Sequence, residues 1–318
     1  MLVVYSRRGL VVAQIFRADE TFSQSLFAGA SCAFGVFDGV HKGHQYLIDC
    51  AKQSAQSLGG RSLVLTFDID PDEVFRPDKL KKLMTNEDRI ATLAKTGVDA
   101  VVVLPFTLEF AASTPEEFLR KTFGDTTPAS LHVGYDFKFG ARAKGTVEDL
   151  RQWGHKHAVS IDALGLKSED GAPISATRIR QLLSEGDIAE ANRLLGHTYF
   201  VGGVVQPGRG EGADMGFRTA NLEIPSIMRA LGDGVYAAWA TVDSKRYKAA
   251  VNVGVPATFA ERSRATCEVH LLDFKGDLYG QTIRVEFLHW LRPMRKFDDI
   301  DELIATVQGN IAWVRENL

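Results

Sequence analysis

Two rhythms divide this chain, and the change between them limits its fold more than any other feature. Through the first half, short apolar runs alternate with stretches of helical periodicity. The runs at 62–67 (SLVLTF), 99–106 (DAVVVLPF), 129–134 (ASLHVG) and 158–164 (AVSIDAL) read as strands. Between them, 44–59, 86–97, 114–124 and 146–157 place apolar residues at helical spacing. The helix at 86 starts on an Asn cap, and the one at 114 carries Pro at its first position. Such alternation implies an α/β fold, a doubly wound parallel sheet with helices on both faces. Two more helical stretches follow, 175–186 and 187–196. Beyond Gly196 the strands come consecutively: 199–208, 234–243, 246–254, 265–274 and 281–290, broken by Gly, Pro, Asp and Lys turns. That pattern implies a small antiparallel β-barrel, closed off by a C-terminal helix over 298–317. The boundary is expected near 185–197, giving domains 1–186 and 187–318. A chain of 318 residues is comfortable for two cores.

Composition excludes several classes. With 45% hydrophobic and 24% charged residues the chain is neither disordered nor membrane-embedded in character. A net charge of −3 argues against a general nucleic-acid footprint. Cys32, Cys50 and Cys267 are odd in number and widely spaced, as expected of reduced thiols in a cytoplasmic protein. Gln14, Arg17, Asp19 and Glu20 interrupt the N-terminal apolar run, so it does not read as a signal peptide, and no stretch is long enough to span a bilayer.

The chemistry gathers first at Gly35-Val36-Phe37-Asp38-Gly39-Val40-His41-Lys42-Gly43-His44. A strand precedes this stretch and a helix follows, so backbone N–H groups and the positive end of the helix dipole converge on one spot suited to an anion. His41 and His44 fall on one side of the first turn, where two imidazoles can donate to phosphate oxygens. Gly39 and Gly43 admit close approach. An ordinary helix cap explains a lone His-x-x-His as well, and no ligand spacing favours zinc. Ile174-Ser175-Ala176-Thr177-Arg178-Ile179-Arg180 is a second place where hydroxyls and an arginine meet a helix start. Gly134-Tyr135-Asp136-Phe137 follows a strand, again at a ligand-facing end. In the second half, Gly208 to Gly216 leads into Phe217-Arg218-Thr219-Ala220-Asn221 without the Gly-Lys-Ser/Thr of a Walker loop. Strand alternation puts Glu268 and His270 on one face and Cys267 and Val269 on the other.

In family order, these segments resemble the prokaryotic bifunctional riboflavin kinase/FMN adenylyltransferases. The His-x-Gly-His turn is similar to the signature of nucleotidylyltransferases, with Phe37-Asp38-Gly39 ahead of it typical of the flavin branch. Ser175 to Arg180 resembles the second motif of that superfamily, with Ala176 where a second Ser is usual. The resemblance implies a nucleotidylyltransferase-like, Rossmann-like first domain. There His41, His44 and Arg180 would neutralise the transferring phosphoryl group. Gly35, Phe37, Asp38, Gly43, Ser175 and Thr177 would line the nucleotide site, and Asp136 and Phe137 the flavin. Phe106, Phe110 and Phe118 match the segment that walls the flavin pocket, although periodicity alone makes them core. Asp70 stands where relatives carry a His, an exchange expected to weaken that site.

For the second domain the resemblance implies a riboflavin kinase. Gly208, Gly212 and Gly216 would surround the ATP phosphates, Thr219 and Asn221 would hold Mg²⁺, and Glu268 would be the general base. Ala213, Arg218 and Ala257 depart from the family pattern. Arg218 replaces a proline and leaves the turn before Thr219 less pre-set. The implied substrates and products are riboflavin, FMN, FAD and ATP, with no nucleic-acid or membrane partner. The departures leave open an FAD synthetase with a weakened kinase, and a flavin-binding regulator without turnover.

Overall fold

A computed structural model describes residues 12–18, 22–76, 81–207, 217–225, 228, 231–254, 266–297 and 299–318. By internal contacts the chain divides into two compact units, one running to Ser175 and one starting at Ala176.

The first unit is built on six parallel strands: β1 (Gln14–Arg17), β2 (Ser31–Phe34), β3 (Ser62–Phe67), β4 (Ala100–Leu104), β5 (Ser130–Gly134) and β6 (Ser160–Leu164), in the order β1-β4-β3-β2-β5-β6. The chain steps from β2 to β3 in one direction and from β5 to β6 in the other. Right-handed crossovers therefore place the connecting helices on opposite faces. On one side lie α1 (Lys42–Leu58), the short α2 (Pro71–Phe75) and α3 (Asn86–Leu93). On the other lie α4 (Leu108–Ala111), α5 (Pro115–Phe123) and α6 (Val147–His157). Because both faces are covered, β2, β3 and β4 are buried along their whole length. Cys32, Phe34, Leu63 and Leu65 pack into the core that α5 completes with Phe118 and Phe123.

The direction reverses between the neighbours β2 and β5. In a doubly wound sheet that reversal opens a crevice beyond the carboxyl ends of the two strands. The His41 turn leaves the end of β2 and the Asp136 loop leaves the end of β5, so topology brings both to the same crevice.

Local rules account for most of the elements. Thr114 caps α5 in a capping box with Glu117, Pro115 opens the helix, and Gly124 closes it. Gly59 ends α1 in the left-handed conformation, with φ 64°. The helix at 86 departs from expectation: Thr85, not Asn86, is its cap, with a side chain that accepts from Asp88 N–H. Five small elements of this unit were not anticipated. These are β1, α2, α4 and the hairpin of β7 (Ser168–Glu169) and β8 (Ala172–Pro173).

The second unit starts with α7 (Ala176–Glu185) and α8 (Ile188–Leu195). Six strands follow: β9 (Phe200–Gln206), β10 (Ala220–Glu223), β11 (Gly234–Val242), β12 (Lys245–Gly254), β13 (Thr266–Leu271) and β14 (Thr282–Arg292). They close an antiparallel barrel in the order β10-β13-β12-β11-β14-β9. Sequence periodicity gave five of them. The sixth, β10, hides in a segment that reads as loop. The C-terminal α9 (Ile300–Asn317) buries Val314 against Ala237 and Leu272 on the outside of the barrel. Asn192 of α8 joins helix to barrel by donating to the Phe287 carbonyl at 2.9 Å and accepting from Tyr199 N–H at 2.6 Å.

Candidate active sites

The turn after β2 is held in an uncommon backbone shape. Phe37, Gly39 and Val40 all have positive φ, at 62°, 75° and 42°. For Phe and Val that conformation is strained, and it persists only where the surroundings over-determine it. Asp38 supplies one restraint. Its buried carboxylate accepts from Leu83 N–H at 3.0 and 3.1 Å and from Met84 N–H at 3.4 Å. Arg89 supplies another, from α3. It is fully buried, and Nη1 donates to the Val36 carbonyl at 2.8 Å and to Thr66 Oγ1 at 2.5 Å. Its Nη2 donates to the Phe67 carbonyl at 2.7 Å. One guanidinium thus ties the His41 turn to the carboxyl end of β3. Burial lowers its pKa, and Asp70, Asp38, Glu73 and Asp68 oppose that shift.

The turn delivers the two histidines as a stacked pair, with ring centroids 3.6 Å apart and planes 18° from parallel. His41 is the cap of α1, and its Nδ1 accepts from His44 N–H at 3.3 Å. With Nδ1 accepting, the proton of neutral His41 sits on Nε2. The ring of Phe37 meets His44 edge-on at 5.3 Å. His44 Nδ1 is buried without a hydrogen-bond partner. Burial, reinforced by His41 and Arg89, holds its pKa well below the usual histidine value. Gly43 fits beneath this pair because it lacks a side chain. A Cβ there would stand 3.1 Å from His41 Cε1 and Nδ1, and 3.4 Å from the carbonyl oxygen of Ile174. At Gly35 a Cβ would meet the Phe37 ring at 3.2 Å. Lys42, inside the same motif, pairs with Glu169 of the β7–β8 hairpin at 3.1 Å.

Asp136 is exposed and Phe137 half-buried in the loop after β5. Phe137 joins a network of rings at the end of the sheet. It packs on Phe34 at 5.4 Å, while Phe118 lies 5.4 Å from Phe139 and 5.0 Å from Phe110. Phe106 packs on Phe67 at 5.2 Å. Half-buried Phe106 and Phe110 are therefore core on one side and surface on the other. Asp70 is engaged locally. It caps α2 by accepting from Asp72 N–H at 2.9 Å, and burial raises its pKa. Ser175 closes the first unit. Thr177, exposed, and Arg180, half-buried, belong to the first two turns of α7. Arg178 is drawn to Glu190 of α8 at 3.2 Å.

In the barrel, pairing register assembles a second polar group. Glu268 of β13 lies opposite Asn221 of β10 on one side and Asn252 of β12 on the other. Paired residues share a face, so all three project outward, while Cys267 and Val269 fill the interior. The Cys267 thiol is pushed up to about 12 by burial, with a further contribution from Glu268. Exposed Thr219 precedes β10, two residues before Asn221. Its neighbour is anchored: His270 Nδ1–H donates to the Arg218 carbonyl at 2.8 Å, and the Phe217 ring stands edge-on to His270 at 6.2 Å. A side chain on β13 therefore restrains the turn where the family's proline is missing. Gly208, Gly212 and Gly216, together with Ala213 and Ala257, lie outside the described residues.

Comparison with known proteins follows the same division. Residues 23–178 match the FAD synthetase family and residues 195–318 the riboflavin kinase family. The bifunctional riboflavin kinase/FMN adenylyltransferase of Listeria monocytogenes is 34% identical over 285 residues, covering 87% of this chain and 88% of its own. This chain belongs to the bifunctional riboflavin kinase/FMN adenylyltransferase family. Its Escherichia coli member is 32% identical over 306 residues, covering 95% of this chain and 97% of its own. A solved structure described as a macrolide-efflux protein from Streptococcus pneumoniae superposes with a TM-score of 0.82 at 29% identity, covering 96% of this chain and 99% of that one. Among the described residues no helix is long and apolar enough to cross a membrane.

Family membership also sharpens what sequence reading missed. Arg89 and Asp38 brace the adenylyltransferase turn, yet neither has a contact predictable from local pattern. Arg89 is fully buried, and only the tertiary fold reveals the carbonyls it serves. The place of Asn252 beside Glu268 likewise depends on barrel register, which no local pattern shows.

Proposed function

We propose that this chain makes both flavin cofactors. The kinase part, within 187–318, transfers the γ-phosphoryl group of ATP to riboflavin. The adenylyltransferase part, within 1–186, joins the AMP of a second ATP to the resulting FMN and releases pyrophosphate. The observation that carries this reading is the presence of two separate polar groups, each on the fold suited to it: stacked histidines at a sheet crevice, and a carboxylate between two amides on a barrel.

In the adenylyltransferase, an FMN phosphate oxygen attacks the α-phosphorus of ATP and the bond to pyrophosphate breaks. The nucleophile is already an anion, so no base is required. Positioning and charge neutralisation carry the step. His41 donates from Nε2, and His44 gains affinity for a proton when the anionic phosphates enter. The resemblance assigns Arg180 to the same phosphates and Ser175 and Thr177 to the ATP. Gly35 and Gly43 leave room for the Phe37 and His41 rings, and Phe37 and Asp38 hold the shape of the turn that would face the nucleotide. Asp136 and Phe137 would meet the flavin.

In the kinase, Glu268 takes the proton of the ribityl 5′-hydroxyl as its oxygen attacks the γ-phosphorus and ADP leaves. The hydroxyl of Thr219 and the amide oxygen of Asn221 are hard oxygen donors, which fit Mg²⁺. The ion, when bound, neutralises charge on the ATP phosphates. The resemblance places Gly208, Gly212 and Gly216 around those phosphates. Chromatography of flavins tests the reading directly. Riboflavin with ATP and Mg²⁺ should yield FMN and FAD, and FMN with ATP and Mg²⁺ should yield FAD. FAD from FMN alone would reduce the chain to an FAD synthetase, and no product in either mixture would overturn the proposal.

A further inference from the structure

We propose that Asn252 is a further substrate-binding residue of the kinase, one that accepts a hydrogen bond from a ribityl hydroxyl of riboflavin next to the reacting one. The inference rests on the kinase reading above and adds a residue to it.

Three observations lead there. Asn252 is directly opposite Glu268 in the β12–β13 register, on the outward face that also carries Asn221. Its amide oxygen is buried and has no hydrogen-bond partner. The residues flanking it, Val251 and Val253, are buried in the barrel interior, so alternation fixes the amide on the opposite face. A buried acceptor without a donor is destabilising unless something supplies one. Asparagine in the middle of a strand is also poorly suited to its backbone. Both costs are accounted for if the donor arrives with the substrate.

The strand order says which substrate. Adjacent strands are about 4.8 Å apart, so Glu268 has Asn221 one strand away on the β10 side and Asn252 one strand away on the β12 side. Asn221 belongs with the metal and the ATP phosphates. The alcohol that Glu268 deprotonates must approach from beside the carboxylate, and Asn252 occupies the flank the phosphates do not. A ribityl chain carries its hydroxyls on successive carbons. With its terminal oxygen at Glu268, a neighbouring hydroxyl is within reach of an amide oxygen one strand further on. Each such hydroxyl can donate.

A ligand and mutant cycle tests this on the full chain. The substrates are riboflavin and a flavin whose N10 side chain is 5-hydroxypentyl, which keeps the reacting hydroxyl and lacks the others. Asn252→Ala should raise KM for riboflavin about tenfold, the loss of one hydrogen bond, with kcat within about threefold and KM for MgATP unchanged. On the hydroxypentyl flavin the substitution should change KM by less than twofold, because the donor is already missing. Retained kcat for FMN formation and an unchanged KM for MgATP, both of which need the barrel itself, are the check on folding. Should the Ala variant fail that check, Asn252→Val, whose β-branched side chain suits a strand and carries no acceptor, makes the same comparison. Equal effects on both flavins would overturn the proposal, as would a rise in KM for MgATP in place of riboflavin. Absence of FMN formation by the unaltered chain would instead defeat the kinase reading itself.

Discussion

Gly43→Ala is a small change with a sharply local expected effect. Gly43 is the second residue of α1, where alanine favours the helix by up to about 1 kcal/mol. The added Cβ would stand 3.1 Å from two atoms of the His41 ring and 3.4 Å from the Ile174 carbonyl oxygen. The carbonyl belongs to a buried residue, so the ring must yield by a few tenths of an ångström. It cannot yield without loosening two contacts: the 3.3 Å cap from His44 N–H and the 3.6 Å stack on the His44 ring. Misplacing a catalytic contact by about 1 Å costs on the order of 10²-fold, so a few tenths should cost about tenfold. Helix gain and ring strain nearly cancel in stability, leaving the melting temperature within about 3 °C. The assay is kcat/KM for FAD formation from FMN, followed by chromatography, with FMN formation from riboflavin measured on the same preparation. FAD formation should fall about tenfold and FMN formation should not move. Unchanged FAD formation would refute the argument that Gly43 makes room for His41, and an equal fall in both rates would refute its locality.

Other perturbations probe separate parts of the account. His270→Ala removes the donor to the Arg218 carbonyl, and should slow FMN formation about tenfold with a raised Mg²⁺ requirement, while FAD formation from FMN stays constant; an unchanged Mg²⁺ titration would deny His270 its hold on the Thr219 turn. Arg89→Met strips four acceptors, the Val36 and Phe67 carbonyls, Thr66 Oγ1 and Asn86 Oδ1, of a buried charged donor, which should cost roughly 3 kcal/mol or more in urea unfolding of the first unit and reduce FAD formation with it; full stability and activity would show the turn holds itself. Burial is the main cause of the lowered pKa of both His44 and His132, so below about pH 6.5 the unfolded chain binds protons that the folded chain excludes, and stability rises with pH across that window. Unfolding free energy should fall as pH drops from 7 to 5, by up to about 1.4 kcal/mol per pH unit for each histidine, and His132→Asn should flatten the slope by one proton; a flat profile for the unaltered chain would contradict the assignment.

How far the sequence could be read depended on how local each cause was. The long strands and helices announced themselves because their apolar spacing and caps lie within a few residues, as in Thr114, Pro115 and Gly124 around α5. The turn at His41 was legible for the same reason. Some of the shortest elements were not. In β1, Gln14-Ile-Phe-Arg is too short for a period to show, and β10 hides in Ala220-Asn-Leu-Glu beside a glycine-rich run. Placing Asn221 on a strand and not in a loop matters, because only pairing with β13 sets it against Glu268. Asp70 shows the converse. Its exchange for histidine reads as a loss to the phosphate site, whereas the carboxylate has local employment as the cap of α2. The bracing by Arg89 and Asp38 spans 53 and 45 residues of sequence, and nothing in a single sequence links positions so far apart.

The central claim is that two independent sites share this chain, and mixing two crippled variants tests it most directly. His41→Ala, supplied with riboflavin, ATP and Mg²⁺, should accumulate FMN and make no FAD. Glu268→Gln should leave riboflavin untouched and still convert FMN to FAD. Neither variant alone should carry riboflavin through to FAD; combined in one tube they should do so, with FMN passing through solution between them. Loss of both activities in either variant, or failure of the mixture to form FAD, would contradict the account.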